Sequence, residues 1–233
     1  QEPTLRWECD WKSGEMNVVT GIWGISLSNI YFIGNTGYIL HYDGSSFIKR
    51  ESGTDVGIID IWGLDGEHVW VVTYTNNPTI KNEVLFYNGS SWSMIYERTT
   101  ENWPPEDYSL PSGSFLSTWG YGDTVYLGCA SLWKESVTTG EGRLTPLEEV
   151  HWELDLGIAH VRGDGPNNIF VTTSFGSEVS HFNGKNWKFF DELKIMDPQG
   201  RVSTDGLAVK GDIVVLVGED YSTGKAIVYR GYR

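Results

Sequence analysis

The sequence predicts an all-β fold, a five-bladed β-propeller of four-stranded antiparallel blades, and three observations predict it. The first is a repeat. Residues 22–47 read IWGISLSNIYFIGNTGYILHYDGSSF. The frame returns as IWGLDGEHVW at 61–70, VLFYNGSSW at 84–92 and TWGYGDTVYLG at 118–128. It returns again as VRGDGPNNIFV at 161–171, VSHFNGKNW at 179–187 and VKGDIVVLVG at 209–218. The second is its period of ~40–50 residues, which signals a solenoid, a propeller or an array. The third is the texture of each copy: short segments rich in Ile, Val, Tyr and Trp, separated by Gly turns, which selects strands over helices and so the propeller.

Each copy divides into strands a to d. Strand a closes on a Trp-Gly pair, Trp23-Gly24, Trp62-Gly63 and Trp119-Gly120, with Arg162-Gly163 and Lys210-Gly211 as decayed forms. Strand b follows a short turn, at 29–34, 68–73, 124–129, 168–173 and 212–218. Strand c is read at 38–42, 84–87, 179–182 and 226–229, and in the third blade within 144–149. Asp43-Gly44, Asn88-Gly89 and Asn183-Gly184 supply the c–d turns, because these residues tolerate positive φ as primed hairpin turns require. An aromatic then opens strand d: Phe47, Trp92 and Trp187, with Trp152 assigned that place in the third blade.

The fifth copy runs out after Tyr229-Arg230-Gly231 and lacks strand d. Residues 5–11, LRWECDW, end in Lys12-Ser13-Gly14 much as strand d of the first blade ends in Glu51-Ser52-Gly53. The expected ring is closed by this N-terminal strand, which leaves only short, protected edges. The whole chain is then one domain, with blades at about 17–53, 56–100, 113–155, 156–195 and 202–233 plus 4–14.

Composition bounds the function. The chain has 233 residues, 39% hydrophobic and 14% aromatic, as suits a folded core. A net charge of −14 opposes nucleic-acid binding, which needs clustered Lys and Arg. No apolar run reaches the ~18 residues of a membrane span. Cys9 and Cys129 fall in blades that are not neighbours, so no disulfide is expected between them. The chain opens on Gln1, which is read as a secreted or cell-envelope protein whose signal peptide has been removed. The sequon Asn88-Gly89-Ser90 lies in a tight repeat turn and is read as chance.

Candidate binding residues sit where the copies disagree, since loops vary while a repeat framework holds. The insertions are the b–c loop of the second blade (74–83), the connector at 97–113 and the b–c loop of the third blade (130–143). Strand alternation puts b–c loops and d–a connectors on one face, so all three are expected there together. Tyr74, Trp103, Tyr108 and Trp133 would be aromatic platforms, with Asn76, Asn77, Glu106, Asp107 and Lys134 as polar partners.

Catalysis finds less support. A propeller glycosidase needs paired carboxylates about 5–10 Å apart. Strand a offers Asp60 and Asp205 at the channel mouth, and Ser117 and His160 at aligned positions, with no Glu. His41 and His181 hold equivalent strand c places, so repetition explains them. No cofactor is expected. A structural calcium among Asp10, Asp65 or Glu219-Asp220 has no ligand spacing behind it. Arg162-Gly163-Asp164 occupies the Trp-Gly turn and is read as an accident of the repeat.

The string from Trp23 to Phe47, W-G-x-S-x-x-N-I-Y-x-x-G-x-x-G-x-I-L-H-Y-D-G-x-x-F, resembles repeats of secreted bacterial β-propeller proteins, loosely similar to kelch and Asp-box repeats. The resemblance implies the fold and an extracellular or cell-envelope setting. It carries no catalytic residues. The leading expectation is a non-enzymatic module binding a protein partner or larger assembly through the loop-rich face of blades 2 and 3. The alternatives are a carbohydrate-binding, lectin-like propeller and a glycoside hydrolase using Asp60 and Asp205.

Overall fold

The computed structural model describes residues 18–76, 79–99, 113–136, 145–146, 157–173, 178–190 and 201–232. They form five antiparallel sheets of neighbouring strands and no helix. Sheet 1 is β1 (Val19–Ser26), β2 (Asn29–Gly34), β3 (Ile39–Tyr42) and β4 (Phe47–Arg50). Sheet 2 is β5 (Ile58–Gly63), β6 (Val69–Thr75), β7 (Lys81–Tyr87) and β8 (Trp92–Thr99). Sheet 3 is β9 (Ser117–Tyr121), β10 (Thr124–Gly128), β11 (Leu132–Ser136) and β12 (Thr145–Pro146). Sheet 4 is β13 (Ile158–Gly165), β14 (Asn168–Thr173), β15 (Val179–Phe182) and β16 (Trp187–Phe189). Sheet 5 has three described strands, β17 (Gly206–Lys210), β18 (Ile213–Asp220) and β19 (Lys225–Tyr232). Consecutive first strands pack side by side, β1 on β5, β5 on β9, β9 on β13 and β13 on β17. This is a propeller-type architecture.

The core lies between sheets, as alternating strand residues dictate. Tyr31, Ile33 and Ile39 of sheet 1 meet Ile61, Val71 and Leu85 of sheet 2. Trp70, Val84 and Phe86 meet Val125, Leu127 and Trp133 of sheet 3. Trp119 and Leu132 meet Ile158, Val161 and Ile169 of sheet 4. Phe170 and Val179 meet Leu207 and Leu216 of sheet 5.

The Trp-Gly pairs have a packing reason. Each Trp lies across the glycine of the next sheet. A β-carbon on Gly63 would overlap the Trp23 ring, one on Gly120 would come 2.5 Å from Trp62 and 2.7 Å from Thr124 O, and one on Gly163 2.7 Å from Trp119 and 2.5 Å from Asn168 O. Only glycine leaves room for the ring. Sheet 4 carries Arg162 in the Trp position, so sheet 5 receives no ring and needs no glycine. There Val209 pairs with Val214 as Gly120 pairs with Val125. Ala208-Val209, not Lys210-Gly211, therefore stands at the Trp-Gly position. Gly211, with φ +56, belongs to the following turn.

The c–d turns also differ from the primed two-residue form. Tyr42 pairs with Phe47, Tyr87 with Trp92 and Phe182 with Trp187, which leaves four-residue loops. In each, the first side chain accepts two backbone N–H groups. Asp43 Oδ1 takes Ser45 and Ser46 N at 2.8 Å each, Asn88 Oδ1 takes Ser90 and Ser91 N, and Asn183 Oδ1 takes Lys185 and Asn186 N. The glycine that follows has positive φ in all three, +95, +86 and +89.

Sheet 3 departs from the reading of its sequence. Strand c is β11, and residues 145–146 pair with it as the outer strand. The b–c connection is thus the short turn after Gly128, closed by the Cys129 N–H donating to Ser131 O at 3.0 Å. β11 therefore ends at Ser136 on the opposite face from the end of β6 at Thr75, and residues 137–144 lie outside the described residues.

Candidate functional site

The first strands carry polar side chains that stitch each sheet to the next. Thr20 Oγ1 donates to Ile58 O at 2.6 Å, joining β1 to β5. Asp60 of β5 is the centre of the largest group. Its Oδ2 accepts from Ser117 Oγ at 2.8 Å, from Thr118 N at 2.9 Å and from Arg162 Nη1 at 3.0 Å. Its Oδ1 accepts from Arg162 Nη2 at 3.0 Å and from its neighbour Ile61 N at 3.0 Å. Ser117 Oγ in turn accepts from Val161 N at 3.0 Å. The group spans sheets 2, 3 and 4. A register shift between Ile58 and Asp60 in β5, and another between Ile158 and His160 in β13, re-aim these side chains.

His160 continues the series to sheet 5, its Nε2–H donating to Thr204 O at 2.9 Å. Burial, reinforced by the Arg162 charge, pushes its pKa below the ordinary histidine value. The neutral imidazole is the form that fits here. Thr204 Oγ1 donates back to Thr173 O at 2.6 Å.

Three of the four channel-mouth residues therefore belong to one stitched series, Asp60, Ser117 and His160. Asp205 does not. Gly206 holds the register position of Ser117, since it pairs with Val217 beside Leu207–Leu216 in β18. Asp205 stands one residue earlier and exposed, with its backbone N–H donating to Val217 O. No hydrogen bond joins its carboxylate to Asp60 or His160 among the described residues. Arg162 is the member that sequence reasoning missed. The signal was there: a cation replaces a repeating Trp.

The loop face is partly described. In sheets 1 and 4 the b–c ladder ends at Ile33–Ile39 and Thr172–Val179. In sheet 2 it continues past the equivalent Val72–Val84 pair through Thr73–Glu83, Tyr74–Asn82 and Thr75–Lys81. These three rungs lift the β6–β7 hairpin by about 10 Å at roughly 3.4 Å per residue. The ladder therefore takes up residues 81–83, which the sequence placed in the loop. Tyr74 is half-buried and Asn76 exposed at its upper end. Buried Glu83 anchors the rise, accepting from Thr54 Oγ1 at 2.5 Å and Thr73 Oγ1 at 3.2 Å and pairing with Lys81. Lys81 also reaches Glu97 of β8 at 3.3 Å.

Trp133 is not an exposed platform. It is 2% exposed in β11, packed against sheet 2, with Nε1–H donating to Ser131 Oγ at 2.8 Å. Lys134, the next residue, faces the other way and is exposed. Asn77, Trp103, Glu106, Asp107 and Tyr108 lie outside the described residues, as do Cys9, Trp152 and the N-terminal strand assigned to residues 4–14. Cys129 is a buried thiol, 1% exposed.

The remaining polar candidates have local work. Asp65 accepts from Glu67 N, His68 N and His68 Nδ1, and Asp220 from Ser222 and Thr223, so both cap turns. His41 bonds Asn29 Oδ1 at 3.0 Å and stacks on Tyr31, and His181 bonds Asn168 Oδ1 at 3.0 Å and stacks on Phe170. The two histidines repeat one arrangement. Asp164 accepts from Asn168 and from Gly211 N, so the Arg-Gly-Asp triplet is spent on internal bonds.

No protein-family model and no curated protein sequence matches the chain. Solved structures do match it. The extracellular domain of the putative one component system BT4673 from B. thetaiotaomicron aligns over 96% of this chain, with a TM-score of 0.60 and 18% identity. This chain spans 29% of that structure's length. YCF48 bound to D1 peptide aligns over 94% of this chain and 73% of its own, with a TM-score of 0.56 and 14% identity. A putative TolB from Agrobacterium tumefaciens aligns over 87% of this chain and 72% of its own, with a TM-score of 0.54 and 12% identity. At these identities the likeness is one of fold, and it supports the propeller-type architecture. No described helix is long and apolar enough to cross a membrane.

Proposed function

We propose that this protein is a non-catalytic binding module, a five-bladed propeller working outside the cell or at the cell envelope and engaging a protein or peptide on the face that carries the β6–β7 hairpin. The raised hairpin is the observation that supports this most. It holds half-buried Tyr74 and exposed Asn76 at its upper end on a buried Glu83 anchor, and a rigid base under polar and aromatic groups is what recognition requires. The occupied Asp60 supports the non-catalytic half. A carboxylate held by a two-point guanidinium contact, a hydroxyl and a backbone N–H has its accepting positions filled. A peptide-bound neighbour of similar fold, YCF48, makes peptide capture a natural use of such a face. The extracellular domain among the neighbours fits the setting.

The test is comparative capture from the native source. Wild-type protein and a Tyr74→Ala, Asn76→Ala double variant are immobilised and their bound proteins quantified by mass spectrometry. The proposal expects a set held by the wild type and lost by the variant, with melting temperature unchanged. Equal capture by both would remove the hairpin from the account.

A further inference from the structure

The residue that follows each Trp-Gly pair repeats a feature that the core does not explain. Ile25, Leu64 and Tyr121 hold this place in sheets 1, 2 and 3, one position beyond glycines that pair with Ile30, Val69 and Val125. They are 53%, 40% and 48% exposed. None belongs to the clusters that hold the sheets together. The scaffold does not demand an apolar residue there, since sheet 4 carries Asp164 and sheet 5 Lys210 at the corresponding places after Gly163 and Val209. Single exposed hydrophobics are ordinary on a surface. These three stand on first strands that pack side by side, β1 on β5 and β5 on β9, so they form an arc. Leu27, in the β1–β2 turn and 89% exposed, extends it.

Strand alternation sets this arc at the end of the sheets opposite the β6–β7 hairpin, with the turns that join first to second and third to fourth strands. Among the described residues those turns bear Asp43, Asp65, Glu67, Asp123 and Asp212, against one lysine, Lys185, and no arginine. Asp65 and Glu67 follow Leu64 directly, and Asp123 follows Tyr121, whereas Lys185 belongs to sheet 4, outside the arc. We infer that the arc is a second interaction surface, which takes a basic segment of a partner protein: its apolar side chains lie on Ile25, Leu64 and Tyr121, and its Lys or Arg side chains meet the acidic turns. Apolar contact supplies the affinity, and the acids supply steering and the choice of partner. A second copy of this chain fits poorly, because it brings the same acids and a net charge of −14. The arc stops at sheet 4, where the Asp164 carboxylate is held by Asn168 and the Gly211 N–H.

The test is fluorescence anisotropy on the full chain with three labelled synthetic peptides. One is an amphipathic peptide of Leu and Lys, one has Glu in place of Lys in the same pattern, and one is oligolysine. The Leu–Lys peptide should bind most tightly, and its affinity should fall as salt rises. The Leu–Glu peptide should not bind. Leu64→Ser with Tyr121→Ser should weaken the Leu–Lys peptide by about tenfold or more, the size of one lost aliphatic contact, and should cost oligolysine less. Glu67→Gln with Asp123→Asn should weaken both lysine peptides. All four side chains are exposed, so the variants should melt as the wild type does. Should either melt early, amide exchange of the wild type with and without the Leu–Lys peptide reads the site instead, with protection on the turns at 25–28, 64–67 and 121–123. Equal affinity of the Leu64→Ser, Tyr121→Ser variant, binding of the Leu–Glu peptide, or protection elsewhere would overturn the inference. So would self-association of the wild type that this variant loses, which would assign the arc to a second copy.

Discussion

Arg162 and Asp60, 102 residues apart in sequence, meet through two hydrogen bonds of 3.0 Å each. The pair joins sheet 4 to sheet 2 across Ser117 of sheet 3, so three sheets depend on it. Their side chains are 29% and 14% exposed, which spares them the full cost of burying charge. Arg162→Ala should lower unfolding stability by about 1.5–3 kcal/mol, the range for hydrogen bonds to charged groups. A double-mutant cycle with Asp60→Ala in urea should show a coupling of about 0.5–3 kcal/mol. Additive losses would mean that the two groups stand independently.

The Trp-Gly relay makes a sharper prediction about neighbours. Gly63→Ala should destabilise by about 1–3 kcal/mol, because the three atoms nearest the new methyl all belong to the Trp23 ring. The same change in a Trp23→Leu background should cost much less. If the two backgrounds lose equally, the glycine is needed for its backbone and not for the ring. Guanidinium unfolding of the four proteins decides it.

Trp133 separates packing from recognition. Trp133→Ala should cost about 3–5 kcal/mol, as for a buried ring removed from a core. Trp133→Phe should cost less, losing the bond to Ser131 and only part of the buried ring. Thermal melting reads both. A Trp133→Ala protein with wild-type melting would place the ring outside the core.

Acid should weaken the fold through His160. Its folded-state pKa lies below the unfolded value of 6.5, so the folded protein favours the neutral ring. The unfolded chain binds more protons as pH falls below that value. The stabilisation is therefore whole above about pH 6.5 and is lost progressively below it. His41 shifts in the same direction, by burial and the Arg50 charge, and adds to the slope. His160→Gln keeps a donor for Thr204 O and does not titrate, so it should flatten the dependence without abolishing it. The check is the urea midpoint across this pH range in both proteins.

Local chemistry explains what the sequence made legible. Asp43, Asn88 and Asn183 each announce a turn because the side chain that caps it sits beside the glycine that bends it. Trp23, Trp62 and Trp119 announce first strands because the ring and its glycine recur together. Long-range partners left no such mark. Nothing near Asp60 points to Arg162, and only the break in the Trp series hints at it. Trp133 misled because β11 lacks the Asp-Gly or Asn-Gly turn that follows strand c in sheets 1, 2 and 4. The register of sheet 5 slipped because the turn at Gly211-Asp212 imitates the glycine of a Trp-Gly pair two residues too late.

Amide hydrogen exchange of the protein, free and saturated with a partner captured through the comparison above, tests the binding account most directly. Slowed exchange should concentrate on the upper rungs of the β6–β7 hairpin, at Tyr74–Asn76 and Lys81–Glu83, with β5, β9 and β13 unchanged. Protection confined to the strands around Asp60, Ser117 and His160 would contradict the account and return the function to the channel.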